Sequence, residues 1–198
     1  MRNPLERIRA EETAIKNLET ERLILRPFTV GDLEDVQREV FSDPEVCQFY
    51  CGKTKTPEET AEWLAYRITE WKYSRFGRLA AVLKESQTFT GFVGLEAYPN
   101  SYSRFPDEPP PRYNEVEVEL SFAFGKRFWG NGYASEASRA MIRYAFEDLR
   151  LRRLVGGAAL ENERSRKLQE RLGFRVELNA HPDWPGYVTA LYNPECHA

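Results

Sequence analysis

The stretch EVEVELSFAFGKRFWGNGYASEA, residues 115–137, constrains the fold of this chain more than any other. Val116, Val118, Leu120, Phe122 and Phe124 alternate with polar and small residues, which reads as a strand with these five side chains on one face. Gly130 and Gly132 then mark a tight turn. Ala137, Met141 and Ala145, with Ile142, Phe146 and Leu149, recur at helical spacing and form one buried face. A strand, a glycine turn and a helix together make a local unit suited to anions. Glycines let the backbone approach closely, and the first helical turn presents unpaired N–H groups carrying partial positive charge. The pattern is neither of two common phosphate motifs. No G-x-x-x-x-G-K-[ST] is present, and Ser135 stands where a G-x-G-x-x-G would place its third glycine.

Other segments alternate between strand and helix signals. ERLILRPF (21–28) puts Leu23 and Leu25 on one face and Arg22, Ile24 and Arg26 on the other, and Pro27 ends its ladder. Thr29 and Asp32 form a helix start, followed by Leu33, Val36 and Val40. Thr56, Pro57 and Glu59 form a second, followed by the apolar stripe Ala61, Leu64, Ile68 and Trp71. Residues 78–84 and 89–97 read as a hairpin around Glu85–Gln87. Residues 98–114 are Pro-rich and aperiodic, a long loop. Residues 152–160 read as a strand. Residues 162–174 read as a short helix capped by Asn162, with Leu168 and Leu172 stacked and Gly173 ending it. Strand-like pieces follow near 175–179 and 186–192. Residues 1–17 are polar and read as a helix or a loose arm.

Composition narrows the class. With 41% apolar and 30% charged residues, the chain can bury a sizeable core. Its 28 basic and 31 acidic residues give a net charge of -3, so no basic field points to nucleic acid. No stretch reaches the roughly 20 apolar residues of a membrane helix, and no secretory signal is expected. Cys47, Cys51 and Cys196 form an odd, sparse set. Neither a disulfide framework nor a metal site is expected, and reduced thiols in the cytoplasm are. His181 and His197 lack metal-ligand spacing and read as solvated surface histidines.

The ordered set Arg127-x-x-Gly130-x-Gly132 after a strand, YASEA after the turn, then Asn162-x-x-Ser165 and Leu172-Gly173-Phe174, resembles the GNAT superfamily of acyl-CoA-dependent N-acetyltransferases. TERLILRPFTVGDLEDV (20–36) is most similar to the branch of ribosomal-protein alanine and serine N-acetyltransferases. The resemblance covers roughly residues 18–193, leaving 1–17 as an N-terminal extension and 194–198 as a tail. It implies a single-domain mixed α/β fold: a twisted mixed sheet with a central splay between two parallel strands, flanked by helices. It also implies acetyl-CoA as co-substrate, an amine acceptor (a protein N-terminus or a small molecule), no metal, and a monomer or homodimer.

By the same resemblance, the backbone of Arg127, Phe128, Trp129, Gly130, Asn131, Gly132, Tyr133 and Ala134 would hold the pyrophosphate. The strand backbone at Phe122, Ala123 and Phe124 would pair with the pantetheine arm, which Asn162 would also bond. Glu119 lies where many members keep a carboxylate, and it can take the proton of the amine directly or through water. The plainer alternative is an exposed glutamate alternating with apolar neighbours, as Glu115 and Glu117 also do. Gln169 stands where many members carry a tyrosine as acid for the thiolate. Ser165 is the nearby hydroxyl, either a partner of the sulfur or a first-turn serine bonding backbone. Arg164, Arg166 and Lys167 are either a solvated face or a counter-charge for the adenosine phosphates. Phe128 and Trp129 can also simply pack the turn. A non-catalytic acyl-CoA-binding domain is the rival to an enzyme, and Gln169 is the residue that leans that way.

Overall fold

The computed structural model describes residues 16–99, 103–110, 115–179 and 185–196. The chain forms two compact units, Met1–Gly94 with Phe122–Met141, and Leu95–Ser121 with Ile142–Ala198. His181 and His197 lie outside the described residues, as does most of the segment 1–17 and part of the 98–114 loop.

In chain order the elements are β1 (Leu18–Glu19), β2 (Leu23–Arg26), α1 (Leu33–Val36), α2 (Pro44–Tyr50), α3 (Pro57–Tyr73), β3 (Arg78–Leu83), β4 (Phe89–Pro99), β5 (Val116–Phe124), α4 (Tyr133–Arg143), β6 (Arg153–Ala158), α5 (Glu163–Arg171), β7 (Arg175–Leu178) and β8 (Tyr187–Tyr192). Strands of both directions together with helices make this a mixed α/β fold, as expected.

In the first unit, β1, β2, β3 and the first half of β4 pair antiparallel in that order. Leu23 and Leu25 point inward and are fully buried. The start of α1 is built as its residues dictate. Thr29 N donates to Asp32 Oδ2 (2.7 Å), and Arg26 forks onto the same carboxylate at 2.8 and 2.6 Å. The start of α3 is a reciprocal pair: Thr56 N to Glu59 Oε2 at 2.9 Å and Glu59 N to Thr56 Oγ1 at 3.2 Å. Ala61, Leu64, Ile68 and Trp71 are buried. Trp63 is the hub of an aromatic cluster, with ring centres 4.9 Å from Phe41, 5.1 Å from Phe92 and 5.4 Å from Phe28. α2 had no counterpart in the expectations. Asp43 caps it by accepting from Glu45 N (2.8 Å), and Pro44 opens it. Within it, buried Cys47 donates to Val40 O (3.3 Å), and burial together with neighbouring Cys51 pushes this thiol up to about 12.

In the second unit, β6 pairs antiparallel with β8, which pairs antiparallel with β7. β5 and β6 are the parallel pair, joined at Glu119↔Val155. Val155, Val188 and Ala190 form a core with Phe105, which comes from the loop region. Phe105 lies beneath Arg175, whose guanidinium sits 3.9 Å from the ring centre.

The alternation in β5 holds only in part. Val118, Leu120 and Phe124 are buried, Phe122 is half-buried and Val116 is exposed. Glu117 corrects the expectation of an exposed carboxylate. It is buried because both its oxygens receive the Arg153 guanidinium, with Nε reaching Oε2 at 3.1 Å. Arg153 also binds Glu108, which accepts from Tyr192 Oη at 2.9 Å. A buried carboxylate needs a partner, and Arg153 supplies it, so the period of the strand alone does not separate inside from outside here.

Candidate active site

The glycine turn lies in the first unit. A short 3-10 turn (Lys126–Phe128) leaves the end of β5, where Gly125 N donates to Thr90 O at 2.9 Å. Gly130 and Gly132 both have φ +81, a conformation that side-chain-bearing residues rarely adopt. A Cβ at Gly130 would meet nothing within 4 Å, and one at Gly132 would meet Arg22 Nη2 at 3.4 Å. The backbone at Gly130 is therefore bare on the side where a ligand can approach. Behind the turn, α4 buries Ala137, Ser138, Ala140 and Met141.

The side chains of the turn hold it in shape. Arg127 reaches back to buried Glu39 with Nε at 2.8 Å and Nη2 at 2.7 Å, and its guanidinium lies 4.6 Å from the Phe128 ring centre. Trp129 Nε1 donates to Phe124 O (2.7 Å), and its side chain packs against the apolar core of the first unit. Asn131 Nδ2 bridges the Phe128 and Trp129 carbonyls at 3.2 and 3.3 Å. Arg22 donates from Nη1 to Asn131 O (3.0 Å) and from Nε to Glu136 Oε2 (2.7 Å), while stacking on Tyr133 at 4.6 Å. Phe128 N and Trp129 N already donate to Gly125 O (2.9 Å) and Lys126 O (3.1 Å), so the backbone N–H groups from Gly130 onward are the elements suited to an anion.

The second unit holds the acidic and hydroxylic candidates. Glu119 lines an open cavity of ≈ 440 Å³ with Tyr98, Arg104, Gly156, Gly157 and Tyr187. Arg104 is buried and donates to Gly156 O at 3.2 Å. Burial holds its guanidinium below the ordinary value, against the pull of Glu117 and Glu119. An arginine and a carboxylate thus share one cavity wall.

At the start of α5, Asn162 Oδ1 accepts from Ser165 N (3.1 Å), the expected cap. Lys167 Nζ lies 3.6 Å from Glu163 Oε2, and Arg166 pairs with both Glu163 and Glu170. Gln169 is nearly fully buried. It donates from Nε2 to Gly157 O and to Ser165 Oγ, both at 3.1 Å, and accepts from Thr189 Oγ1 at 2.5 Å.

The structure brings Phe122, Ala123, Phe124 and Arg127–Ala134 into the first unit. Glu119, Asn162, Ser165 and Lys167 belong to the second. Three side chains that shape these places were not anticipated. Glu39 belongs to a helical segment that carries no motif, and Glu136 lies within YASEA, a stretch that gives no sign of its distant partner Arg22. Arg104 comes from an aperiodic loop, where no pattern could single it out. Among the described residues, no three His, Cys, Asp or Glu side chains converge as a metal group would need. No helix of the described residues is long and apolar enough to cross a membrane.

A family model described as an acetyltransferase (GNAT) domain matches residues 22–175. The "Uncharacterized N-acetyltransferase p20" of Bacillus licheniformis is 29% identical over 164 residues, covering 82% of this chain and 84% of that protein. The crystal structure of an acetyltransferase from Agrobacterium tumefaciens str. C58 superposes with TM-score 0.71 at 26% identity, over 93% of this chain and 99% of that one. A ribosomal-protein-S5-alanine acetyltransferase from Vibrio fischeri shares the fold, with TM-score 0.70 at 18% identity over 93% of this chain and all (100%) of that one. The extent of the family match, with a relative named as an N-acetyltransferase, settles the class: the chain belongs to the GNAT acetyltransferase family and is an acyltransferase.

Proposed function

We propose that the protein transfers an acetyl group from acetyl-CoA to a primary amine. The observation that carries this reading is the turn before α4, with two left-handed glycines and open space beside Gly130. A pyrophosphate needs such a bare run of backbone N–H donors, and the residues present fit it. Gly130, Asn131, Gly132, Tyr133 and Ala134 receive the pyrophosphate through their backbone, while Arg127, Phe128 and Trp129 shape the turn, with Phe128 N and Trp129 N given to Gly125 O and Lys126 O. Phe122, Ala123 and Phe124 pair with the pantetheine arm, which Asn162 also bonds. Lys167 offers a cation to the adenosine phosphates.

Glu119 takes a proton from the acceptor ammonium, directly or through water, leaving a neutral nitrogen with a free lone pair. That nitrogen bonds to the acetyl carbonyl carbon, the C–S bond breaks with its electron pair staying on sulfur, and the extra proton on the new amide nitrogen then passes to water. Ser165 donates a hydrogen bond to the departing sulfur. A thiol with pKa of about 8.5 is a modest base, so hydrogen bonding suffices and water protonates the thiolate afterwards. Holding both partners side by side supplies much of the acceleration.

The acceptor is a primary amine. The likeness of residues 20–36 to the ribosomal-protein branch favours the α-amine of a protein N-terminus over a small-molecule amine. The proposed setting is the cytoplasm. Thiol release from acetyl-CoA is the test, measured against peptides with free and with blocked N-termini and a panel of small amines. Release with free N-termini alone supports the full reading. Release only with blocked lysine peptides or small amines overturns the acceptor. No release with any amine overturns the reaction.

A further inference from the structure

Gln169 occupies the position where many members of this family carry an acidic tyrosine, and the structure gives it a defined job. The orientation of its amide follows from chemistry. Gly157 O can only accept, so the atom 3.1 Å from it must be the amide nitrogen. The amide oxygen then faces Thr189 Oγ1, 2.5 Å away, which must be the donor. The second N–H of Nε2 points at Ser165 Oγ, 3.1 Å away. Both hydrogens of the amide are used. Gly156 makes the slot: a Cβ there would lie 2.7 Å from Gln169 Oε1 and 2.9 Å from Thr189 Oγ1. Two strands of the sheet, β6 and β8, thus clamp the amide from both ends.

The consequence falls on Ser165. A hydroxyl that accepts from Gln169 keeps its own single proton to give to a different atom. A serine in the first turn of a helix would otherwise be a free rotor, able to turn its proton toward backbone carbonyls. We propose that Gln169 is a positioning residue that fixes Ser165 as a hydrogen-bond donor to the departing sulfur, with Thr189 holding Gln169 in register. This rests on the acetyl-transfer reading above. No proton changes owner in the step: the C–S bond breaks, the pair stays on sulfur, and the Ser165 O–H is aimed at it beforehand. Tyrosine would place a phenol at the sulfur. Here an amide and a serine divide that task, one orienting and one donating.

The experiment is a double-mutant cycle on the full chain, with kcat and KM for acetyl-CoA as readouts. Thermal melts of every variant establish that each is folded. Ser165→Ala is expected to lower kcat about tenfold with little change in KM, the loss of one charge-assisted hydrogen bond. Gln169→Met keeps the length and apolar bulk and removes both donors. It is expected to lower kcat several-fold in the wild-type background and to cost nothing further in the Ser165→Ala background. A purely structural strut would cost the same in both backgrounds, and that result overturns the proposal while leaving acetyl transfer intact. Full kcat in Ser165→Ala also overturns it. No turnover by the wild-type protein with any amine removes the acetyl-transfer reading and this proposal with it. Should Gln169→Met fail to fold, Thr189→Val decides the matter: it removes the donor to Oε1 and keeps the volume, and its loss of kcat must likewise vanish in the Ser165→Ala background.

Discussion

Glu39 and Arg127 lie 88 positions apart in the chain and meet as a two-pronged fork, with Nε on Oε2 at 2.8 Å and Nη2 on Oε1 at 2.7 Å. Glu39 is 6% exposed at its side chain, whereas Arg127 is 58% exposed. The carboxylate is therefore the fixed end and the arginine the tethered one. A bidentate pair sets orientation as well as distance, so the carboxylate anchors the start of the glycine turn.

Replacing Glu39 with glutamine removes the charge and one acceptor while keeping the volume. Stability should fall by about 1 kcal/mol, a modest figure because solvent screens the exposed arginine. The Kd for acetyl-CoA should rise with kcat little changed. Calorimetry and a thermal melt measure the two effects, and unchanged affinity would show that the turn holds its shape without the fork.

Gly130→Val and Gly132→Val separate strain from ligand contact. Both positions have φ +81, so each substitution carries a backbone cost of at least about 1–2 kcal/mol. At Gly130 the added side chain projects into open space, so it harms the fold least and the ligand most. Acetyl-CoA should bind at least about tenfold more weakly to both variants. Wild-type affinity in both would make the turn a purely structural device.

Glu119→Gln keeps the shape of the side chain and removes the base. Turnover should fall by roughly 10²-fold, with acetyl-CoA affinity unchanged. The defect should shrink as pH rises toward the pKa of the acceptor, about 8 for an α-amine and about 10 for a lysine. A pH–rate profile measures this, and full turnover at every pH would place the base on another group.

Glu136 gives a pH prediction for stability. Burial alone would raise its carboxyl, but hydrogen bonds from Thr20 and Arg22 outweigh that and hold it below the ordinary carboxylate range. A carboxyl whose folded pKa is depressed stabilises the fold above its unfolded pKa, and that contribution is lost as pH falls through the folded value. Glu136→Gln should therefore destabilise at neutral pH, and the difference from wild type should close at acid pH below that range. Denaturant melts at several pH values would show the gap narrowing, and a constant gap would contradict the assignment.

The elements most legible in the sequence were those whose cause is local. The α3 stripe and its cap both rest on residues three or four apart, and the structure reproduces them. Asp43-Pro44-Glu45 carries a similar start signal for α2, but the helix it opens is only seven residues long and no long apolar stripe confirms it. Glu117 and Glu119 share one strand face and look alike in sequence. What separates them is Arg153, 36 positions beyond Glu117, which buries one and leaves the other on a cavity wall. Gln169 reads as an absent tyrosine until Gly157 and Thr189 are placed beside it. Motifs reveal where ligands can be held, whereas the partners of a buried polar group come from strands distant in sequence.

The link between Arg22 and Glu136 also bears on the order in which the chain can assemble. The two residues are 114 positions apart. At roughly 5–20 residues per second, a ribosome needs several seconds or more to deliver the second after the first. Through that interval Arg22 has no Glu136 to bind, and the turn that depends on both does not yet exist. The glycine-turn end of the first unit is thus a late product of synthesis, closed only after the strands and helices of residues 18–94 have had time to pack.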